Sequence, residues 1–188
     1  MTEGPHGDDM IGLLLHDHRE VEDLFQQIEA ADDGKTRREL ADQVTAELVR
    51  HSVAEELHLY PTARAALPDG DAMADREVGE HAEAEELLKR WEKLDGDDQE
   101  FVTVFRQVSS AVLAHIREEE DELFPRLREY VSEDDLDELG DKINQAKKMS
   151  PTRPHPSSPN TPPLNKILGP GAGLVDRLRD KLSGRKTD

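Results

Sequence analysis

Two stretches of this sequence share one unusual pattern, HSVAEELHLYP at residues 51–61 and HIREEEDELFP at residues 115–125. Each has a histidine, a pair of glutamates that begins four residues later, and an aromatic residue followed by proline at its end. Residues four apart lie on one face of an α-helix, about 40° from each other. If both stretches are helical, two His–Glu pairs project together, and these are His51 with Glu55 and His115 with Glu119.

The segments that precede these stretches also match each other. HREVEDLFQQI begins at His18 and HAEAEELLKRW begins at His81, and both have Glu at the fourth position after His and apolar residues at the sixth, seventh and tenth. The spacing agrees too, with 33 residues from His18 to His51 and 34 from His81 to His115. The sequence therefore predicts two helical hairpins of one design.

Apolar residues recur every three or four positions through most of the first 141 residues, which predicts helices. The breaks ADDGK, LPDGD and LDGDD divide this part into four long helices, and a capping-box sequence at Ser132 begins a fifth. No segment alternates with a period of two. We therefore predict an all-α fold, an antiparallel up-down four-helix bundle with a short fifth helix over residues 9–148.

The end of the chain has a different composition. Pro, Ser and Gly dominate residues 149–170, which predicts an extended linker, and residues 171–188 have the pattern of a short basic amphipathic helix. Residues 1–141 hold 14 Lys and Arg against 40 Asp and Glu, whereas residues 142–188 hold 10 against 3. This Pro-rich tail either contacts the acidic bundle, a membrane surface or an unknown protein, or its short helix simply frays, because about ten residues are marginal for an isolated helix.

Composition narrows the classes of function. The 188-residue chain has a net charge of −19, and an acidic protein repels phosphate backbones, so we do not expect nucleic acid as a partner. The chain has no cysteine, which excludes disulfides, thiolate ligands and a cysteine nucleophile. It has no apolar run long enough for a transmembrane segment and no secretory signal pattern, so we expect a cytoplasmic protein.

The repeated histidines and glutamates predict a metal site. His18 and His81 lie within the apolar stripes of their helices, so four imidazoles and two carboxylates converge in mid-bundle if both hairpins fold alike. Buried carboxylates without partners are unfavourable, and a metal compensates, because neutral imidazoles and ionised carboxylates are its natural ligands. Four His and two Glu suit iron, manganese or zinc. Carboxylates from two helices can each bridge a pair of metals.

The two opening stretches, with DHREVEDLF and EHAEAEELL before them, resemble the hemerythrin-like, His-His-Glu cation-binding family over about residues 9–130. An acidic bundle with a Pro-rich tail is similar to actinobacterial members. The resemblance implies a four-helix bundle around a non-haem di-iron centre, with two oxo- or hydroxo-bridged irons per chain, and zinc or manganese as less favoured metals. It implies terminal ligands at His18, His51, His81 and His115 and bridging ligands at Glu55 and Glu119.

One departure from the family pattern bears on function. Oxygen-carrying members have a fifth histidine one turn away on the third helix, where this chain has Glu77 and Glu85 on either side of His81. Five donors per iron leave one position open on each, unless Glu22 and Glu85 fill them, and a solvated or supporting role for these two is the equal alternative. Open positions favour peroxide or nitric oxide chemistry as much as reversible oxygen binding.

Four other polar residues near the motifs are less well placed to bind a metal. His16 lies on the far side of its helix and is expected in solvent, whereas His58 lies on the ligand face, with a supporting or access role. Glu56 and Glu120 lie about 140° from the histidine of their own helix.

Whether Tyr60 points into the predicted metal site depends on the shape of its helix. On a straight helix it points away from the site, and only a bulge or kink before Pro61 would turn it inward. Its counterpart in the second repeat is Phe124.

The sequence supports three hypotheses for function. The first is a non-haem di-iron protein that binds or reduces a small diatomic or peroxide ligand, and thus a peroxide- or NO-reactive oxidoreductase. The second is a non-enzymatic iron or oxygen sensor, in which the acidic bundle and the basic tail change contact with the metal state. The third is a passive metal-binding module. No phosphate-binding loop, nucleophile elbow or Ser/His/Asp set is present.

Overall fold

The computed structural model describes residues 8–154, and this range contains helices and turns but no strand. A five-residue π-helical turn, Glu55–Leu59, joins α2 to α3, and a second, Glu119–Leu123, joins α5 to α6, so each pair forms one long rod. The predicted all-α bundle with a fifth helix is confirmed. No helix within the described range has the length and low charge that a membrane span requires. The helices are α1 Met10–Ala30, α2 Gly34–Ala54, α3 Tyr60–Ala66, α4 Gly70–Trp91, α5 Gln99–Glu118, α6 Phe124–Tyr130 and α7 Glu133–Met149.

Short polar residues begin three of these helices. An N-cap side chain of this kind accepts a hydrogen bond from a backbone N–H that the first helical turn leaves unpaired. The helix starts therefore follow from local sequence, including the predicted start at Ser132. The three bonds run from the N–H of Gly12 to Asp9 at 2.7 Å, of Thr36 to Asp33 at 2.9 Å, and of Asp135 to Ser132 at 3.2 Å.

The bundle consists of two antiparallel hairpins. In the first, α1 packs along the α2–α3 rod, and in the second, α4 packs along the α5–α6 rod. The two hairpins meet most closely where α3 contacts α4, and α7 packs across α1 and α2 from outside. The sequence repeat thus becomes an approximate two-fold relation between hairpins.

Buried apolar side chains form two separate cores. The first core contains Leu14, Leu59 and Phe124 among others, and the second contains Val21 and Leu48 among others. Where the two cores meet, α1, α4 and the two rods each carry polar residues that are buried or nearly buried. We call these residues the polar layer, and its members are His18, His51, Glu55, His81, His115 and Glu119.

Proline accounts for the two π-helical turns. Pro61 lacks an N–H, and its ring clashes with the carbonyl four residues earlier, so a regular α-helix is disfavoured just before it. The N–H of Tyr60 bonds instead to the carbonyl of Glu55, five residues back, and the second repeat has the same bond between Phe124 and Glu119. One extra residue in the turn rotates everything beyond it by about 100°.

The chain beyond α7 continues along the bundle for the few residues that are described. Ser150 and Thr152 are buried, and Arg153 pairs with Glu92 of α4 at 3.3 Å. The rest of the predicted linker and the predicted basic tail, residues 155–188, lie outside the described range.

The loop between α4 and α5 passes close to the start of α2, where Gly96 of the loop meets Gly34. A substitution at Gly96 tests this close approach. Gly96 is buried, and a Cβ there would lie 1.9 Å from the carbonyl oxygen of Gly34. We expect Gly96→Ala to lower the free energy of unfolding by about 1–3 kcal/mol, because the backbones must move apart. Urea unfolding of the metal-free protein measures this change.

Gly79→Ala is the matched control. Gly79 is an exposed helical glycine with open space around its Cβ position. Alanine there should be neutral or add up to about 1 kcal/mol, because it lowers the entropy lost on folding. Equal effects of the two substitutions would contradict the close approach of the loop to α2.

Candidate metal centre

The polar layer brings together all six residues that the sequence analysis selected as candidate ligands. The helices α1 and α4 and the two rods each contribute, and the two glutamates are the first residues of the two π-helical turns. Glu55 and Glu119 are both 0% exposed, so the layer is a set of ionisable groups enclosed within the bundle. The histidines come from α1 (His18), α2 (His51), α4 (His81) and α5 (His115).

The four imidazoles form two pairs. The Nε2 atoms of His18 and His51 are 3.3 Å apart, and those of His81 and His115 are 3.2 Å apart. Two imidazole lone pairs at this distance repel each other unless a proton or a metal cation lies between them. Each pair therefore marks a place where positive charge is needed.

The two glutamates each lie against both pairs. Oε1 of Glu55 lies 3.0 Å from Nε2 of His51, and its Oε2 lies 3.3 Å from Nε2 of His81. Oε2 of Glu119 lies 3.4 Å from Nε2 of His18 and 3.6 Å from Nε2 of His115. Within one potential metal-binding group, formed by the first pair and both carboxylates, the ligand atoms lie within 4.8 Å of one another. Both carboxylates therefore lie between the two imidazole pairs, within reach of a cation at either pair.

Each histidine also faces a carboxylate with its other ring nitrogen. An ionised carboxylate only accepts hydrogen bonds, so Nδ1 carries the proton and Nε2 of the neutral ring presents a lone pair to the centre. Such contacts orient the histidines of metal sites and tune their basicity. The four bonds join His18 to Glu120 at 2.8 Å, His51 to Asp17 at 3.1 Å, His81 to Glu56 at 3.3 Å and His115 to Glu80 at 2.9 Å.

These four acidic residues belong to the repeat, although the sequence analysis did not assign them partners. Asp17 and Glu80 directly precede the first histidine of each hairpin, and Glu56 and Glu120 directly follow the layer glutamates. For Glu56 and Glu120, the sequence analysis considered only the angle to the histidine of their own helix. Each in fact bonds a histidine of another helix, which the angle along one helix does not reveal.

The buried oxygens of the layer test whether it fits a metal. Both carboxylate oxygens of Glu55 and Oε2 of Glu119 are buried and receive no hydrogen bond from any group in residues 8–154. Buried carboxylate oxygens without donors are strongly destabilising. Cations between the carboxylates and the imidazoles would satisfy these oxygens and the Nε2 lone pairs at once, so the donor set fits a pair of metal ions.

Comparison with known proteins agrees with this geometry. Residues 9–127 match the model of the hemerythrin HHE cation-binding domain. The chain belongs to this hemerythrin family. An uncharacterized hemerythrin-like protein of Schizosaccharomyces pombe is 32% identical to the chain over 170 residues, which cover 90% of this chain and 84% of that protein.

A second relative is a longer protein. It is a Nostoc protein named DNA nickase, 28% identical over 149 residues, which cover 78% of this chain but 42% of that protein. No solved structure matches the chain.

Protons occupy part of this hemerythrin-type site when no metal is bound. Burial lowers the pKa of His51, but Glu55 and Asp17 outweigh it and raise that pKa well above its usual range. Burial likewise opposes charging of His115, yet carboxylates led by that of Glu119 raise its pKa to about 10. Burial alone would raise the pKa of Glu55, but the neighbouring histidines hold it well below its usual range.

Tyr60 lies at the centre rather than away from it. Its hydroxyl is 3.0 Å from Nε2 of His81 and donates to Oε1 of Glu119 at 3.2 Å. The helix has the bulge before Pro61 that the sequence analysis named as the condition for this position. The π-helical turn moves Tyr60 from about 140° to about 40° from Glu55 around the helix axis. Its counterpart Phe124 also turns inward, but it stacks on His18 with ring centroids 5.6 Å apart and offers no donor.

Glu77 is a buried residue of the site that the sequence analysis did not select. It is 0% exposed, and its Oε2 lies 3.1 Å from Nδ1 of His115, although the hydrogen bond of that nitrogen goes to Glu80. Its counterpart in the first repeat is Leu14, so the comparison of repeats gave no signal. The sequence feature that could have identified Glu77 is its position among the apolar residues along one face of α4.

The remaining candidates lie outside the potential metal-binding groups within residues 8–154. Glu22 pairs with an arginine at 2.5 Å and Glu85 with a lysine at 3.3 Å, each on its own helix. The structure therefore does not bring these two predicted additional ligands to the imidazole Nε2 atoms. His16 is exposed, as predicted, and the half-buried His58 is not a member of these groups.

Stabilisation of the protein by metal should increase with pH. A histidine with a raised pKa stabilises the metal-free fold fully below about pH 6.5, and this contribution is lost as pH rises through the folded pKa, about 10 for His115. A metal must displace these protons, so it competes better at high pH. We expect Zn²⁺ to raise the melting temperature more at pH 8 than at pH 6 in calorimetry. An equal rise at both pH values would contradict binding at the imidazoles.

Tyr60→Phe tests whether the two halves of the centre differ. If the phenol oxygen joins the centre, its loss should weaken one of two Zn²⁺ sites on the order of 10–100-fold and leave the other nearly unchanged. Competitive titration against a chelator measures both affinities. Tyr130→Phe is the control, because Tyr130 is 52% exposed and lies outside the polar layer. Identical titrations of the two variants would show that the Tyr60 hydroxyl contributes nothing to binding.

Proposed function

We propose that this chain is a non-haem di-iron protein that binds or reduces a small oxidant, either oxygen, peroxide or nitric oxide. The observation that carries the proposal is the pair of buried carboxylates, Glu55 and Glu119, each placed against both imidazole pairs. Membership of the HHE cation-binding family supports a bound cation. We propose in addition that the cation is iron, that two ions bind per chain, and that they react with an oxidant.

The donor set supports iron among the candidate metals. It consists of imidazole nitrogens and carboxylate oxygens without a thiolate, which suits iron, manganese and zinc. Two irons would supply the electrons that a small oxidant takes up. The chain would hold them by the four Nε2 atoms and the two glutamates, between the two apolar cores.

The two halves of the centre differ in their donors, which supports a position for an external ligand. The pair that contains His81 has Tyr60 and Glu77 close by. The pair that contains His18 has Phe124 in the place of Tyr60, and a phenyl ring donates nothing to a metal. The His18 pair therefore has fewer protein donors, and we assign the external ligand to a metal held there.

Metal content and oxidant turnover test the proposal together. Protein produced with excess iron should contain about two irons per chain, and it should consume hydrogen peroxide or nitric oxide. Glu55→Gln should lower the iron content, because it removes a negative donor from both pairs, whereas Glu129→Gln, on the exposed end of α6, should leave it unchanged. A clean value of one iron in the parent protein would contradict the two-metal site.

One contact favours the sensor as the second candidate function. Lys147 of α7 bonds Oδ1 of Asp17 at 2.5 Å, and Oδ2 of the same carboxylate faces Nδ1 of His51 at 3.1 Å. The metal-facing imidazole is thus linked through one side chain to the helix that leads into the C-terminal tail. Two irons per chain without oxidant turnover, and with altered hydrogen exchange in α7 on metal loading, would favour this function.

The name of the Nostoc relative does not lead us to propose activity on DNA for this chain. That protein is named a DNA nickase, and this chain covers 42% of its length. A net charge of −19 disfavours contact with a phosphate backbone. We therefore propose no nucleic-acid partner.

A further inference from the structure

A cavity of about 340 Å³ lies beside the polar layer on the side of the second core. Its inner end is formed by the four histidines of the layer, and its walls by apolar side chains that include Leu48, Leu88 and Val112. Pro151, Arg153 and Pro154 contribute to its lining from the chain beyond α7. The cavity thus leads from the edge of the bundle to the imidazoles.

The cavity is much larger than a small oxidant requires. One water molecule takes up about 30 Å³ of liquid, and a cavity of about 150 Å³ lined by apolar side chains holds benzene. A volume of 340 Å³ is within the range of pockets that bind organic ligands. Passage of oxygen or peroxide alone does not account for this space.

The cavity arises from small residues at the loose junction between the two hairpins. Ala82 and Ala84 of α4 and Ala111 and Ala114 of α5 line it, where larger side chains would fill the gap. On this side of the bundle, α4 contacts α2, and α5 contacts α1, at only a few residues.

Charge selects the class of ligand. Six carboxylates and one guanidinium are among the residues that line the cavity, so an anion such as a carboxylate or phosphate is repelled. Arg153 is already paired with Glu92. The carboxylates of Asp17, Glu56 and Glu80 are bonded to histidines and are not arranged around a ligand cation.

We infer that this cavity binds an uncharged organic molecule with an apolar body of about ten carbon atoms, held against the histidines of the polar layer. The apolar walls bury the body of the ligand, and the acidic lining rejects anionic analogues. The inference concerns a ligand and not the metal, so it stands or fails independently of the proposed di-iron chemistry.

Calorimetric titration of the full chain with 2-phenyl-2-propanol tests the inference. This neutral alcohol has nine carbons and does not react with the protein. It should bind with one site per chain and with a negative heat-capacity change, which marks burial of apolar surface. The anionic 2-methyl-2-phenylpropanoate and the cationic 2-phenyl-2-propylamine have similar shapes, and both should bind at least about tenfold more weakly. The titrations are made with metal-free protein, because a bound Zn²⁺ at the histidines would attract the anionic analogue, and failure to load iron does not affect the result.

Variants locate the binding site. Ala84→Phe places a ring in the cavity and should weaken binding of the alcohol at least about tenfold. Ala114→Phe, which starts from an exposed position, is the second filling variant if the first fails to fold. Ala66→Phe is the control, because Ala66 is half-buried in α3 and does not line the cavity.

Three results would overturn the inference. They are the absence of saturable binding to the full chain, equal binding to the filling variants and the control, and binding of either charged analogue as tight as that of the alcohol.

Discussion

Two buried carboxylates with almost no hydrogen-bond donors lie in the middle of this bundle, and the rest of the structure depends on compensating their charge. Glu55 and Glu119 are fully buried between two apolar cores. Oε1 of Glu119 accepts a hydrogen bond from Tyr60, whereas the other three oxygens face imidazole nitrogens. Such an arrangement is unfavourable unless positive charge is present. In the metal-free protein, protons on His51 and His115 supply some of that charge. A pair of cations would supply it more fully and would also satisfy the imidazole lone pairs.

The chain builds this centre twice and then makes the two copies unequal. Each hairpin contributes a histidine pair, a layer glutamate, two carboxylates that orient the histidines, and a π-helical turn set by proline. The turn brings an aromatic residue inward in both hairpins, but it is Tyr60 in one and Phe124 in the other. Glu77 opposite Leu14 adds a second difference on the same side. An approximately symmetric scaffold thus holds two positions with different donors, which is what a centre needs if one metal is to take an external ligand.

Sequence reasoning reached the parts of this structure that depend on local periodicity. The helices, their breaks and the convergence of six side chains follow from three- and four-residue spacing and from the matched intervals between histidines. It missed what depends on contacts between helices or on a change in helical register. Glu56 and Glu120 bond histidines on neighbouring helices. For Tyr60 the sequence supplied only the condition, a bulge before Pro61, and could not decide that the helix gains a residue there. Glu85 resembled a ligand by spacing, yet its side chain meets Lys89 of its own helix.

The central claim is that two metal ions share the carboxylates of Glu55 and Glu119. Anomalous difference maps from crystals of the iron-loaded protein, recorded on both sides of the iron absorption edge, test it most directly. The account predicts two iron peaks about 3.5–4 Å apart, one beside each imidazole pair, with both glutamates between them. A single peak, or peaks outside the polar layer, would contradict it.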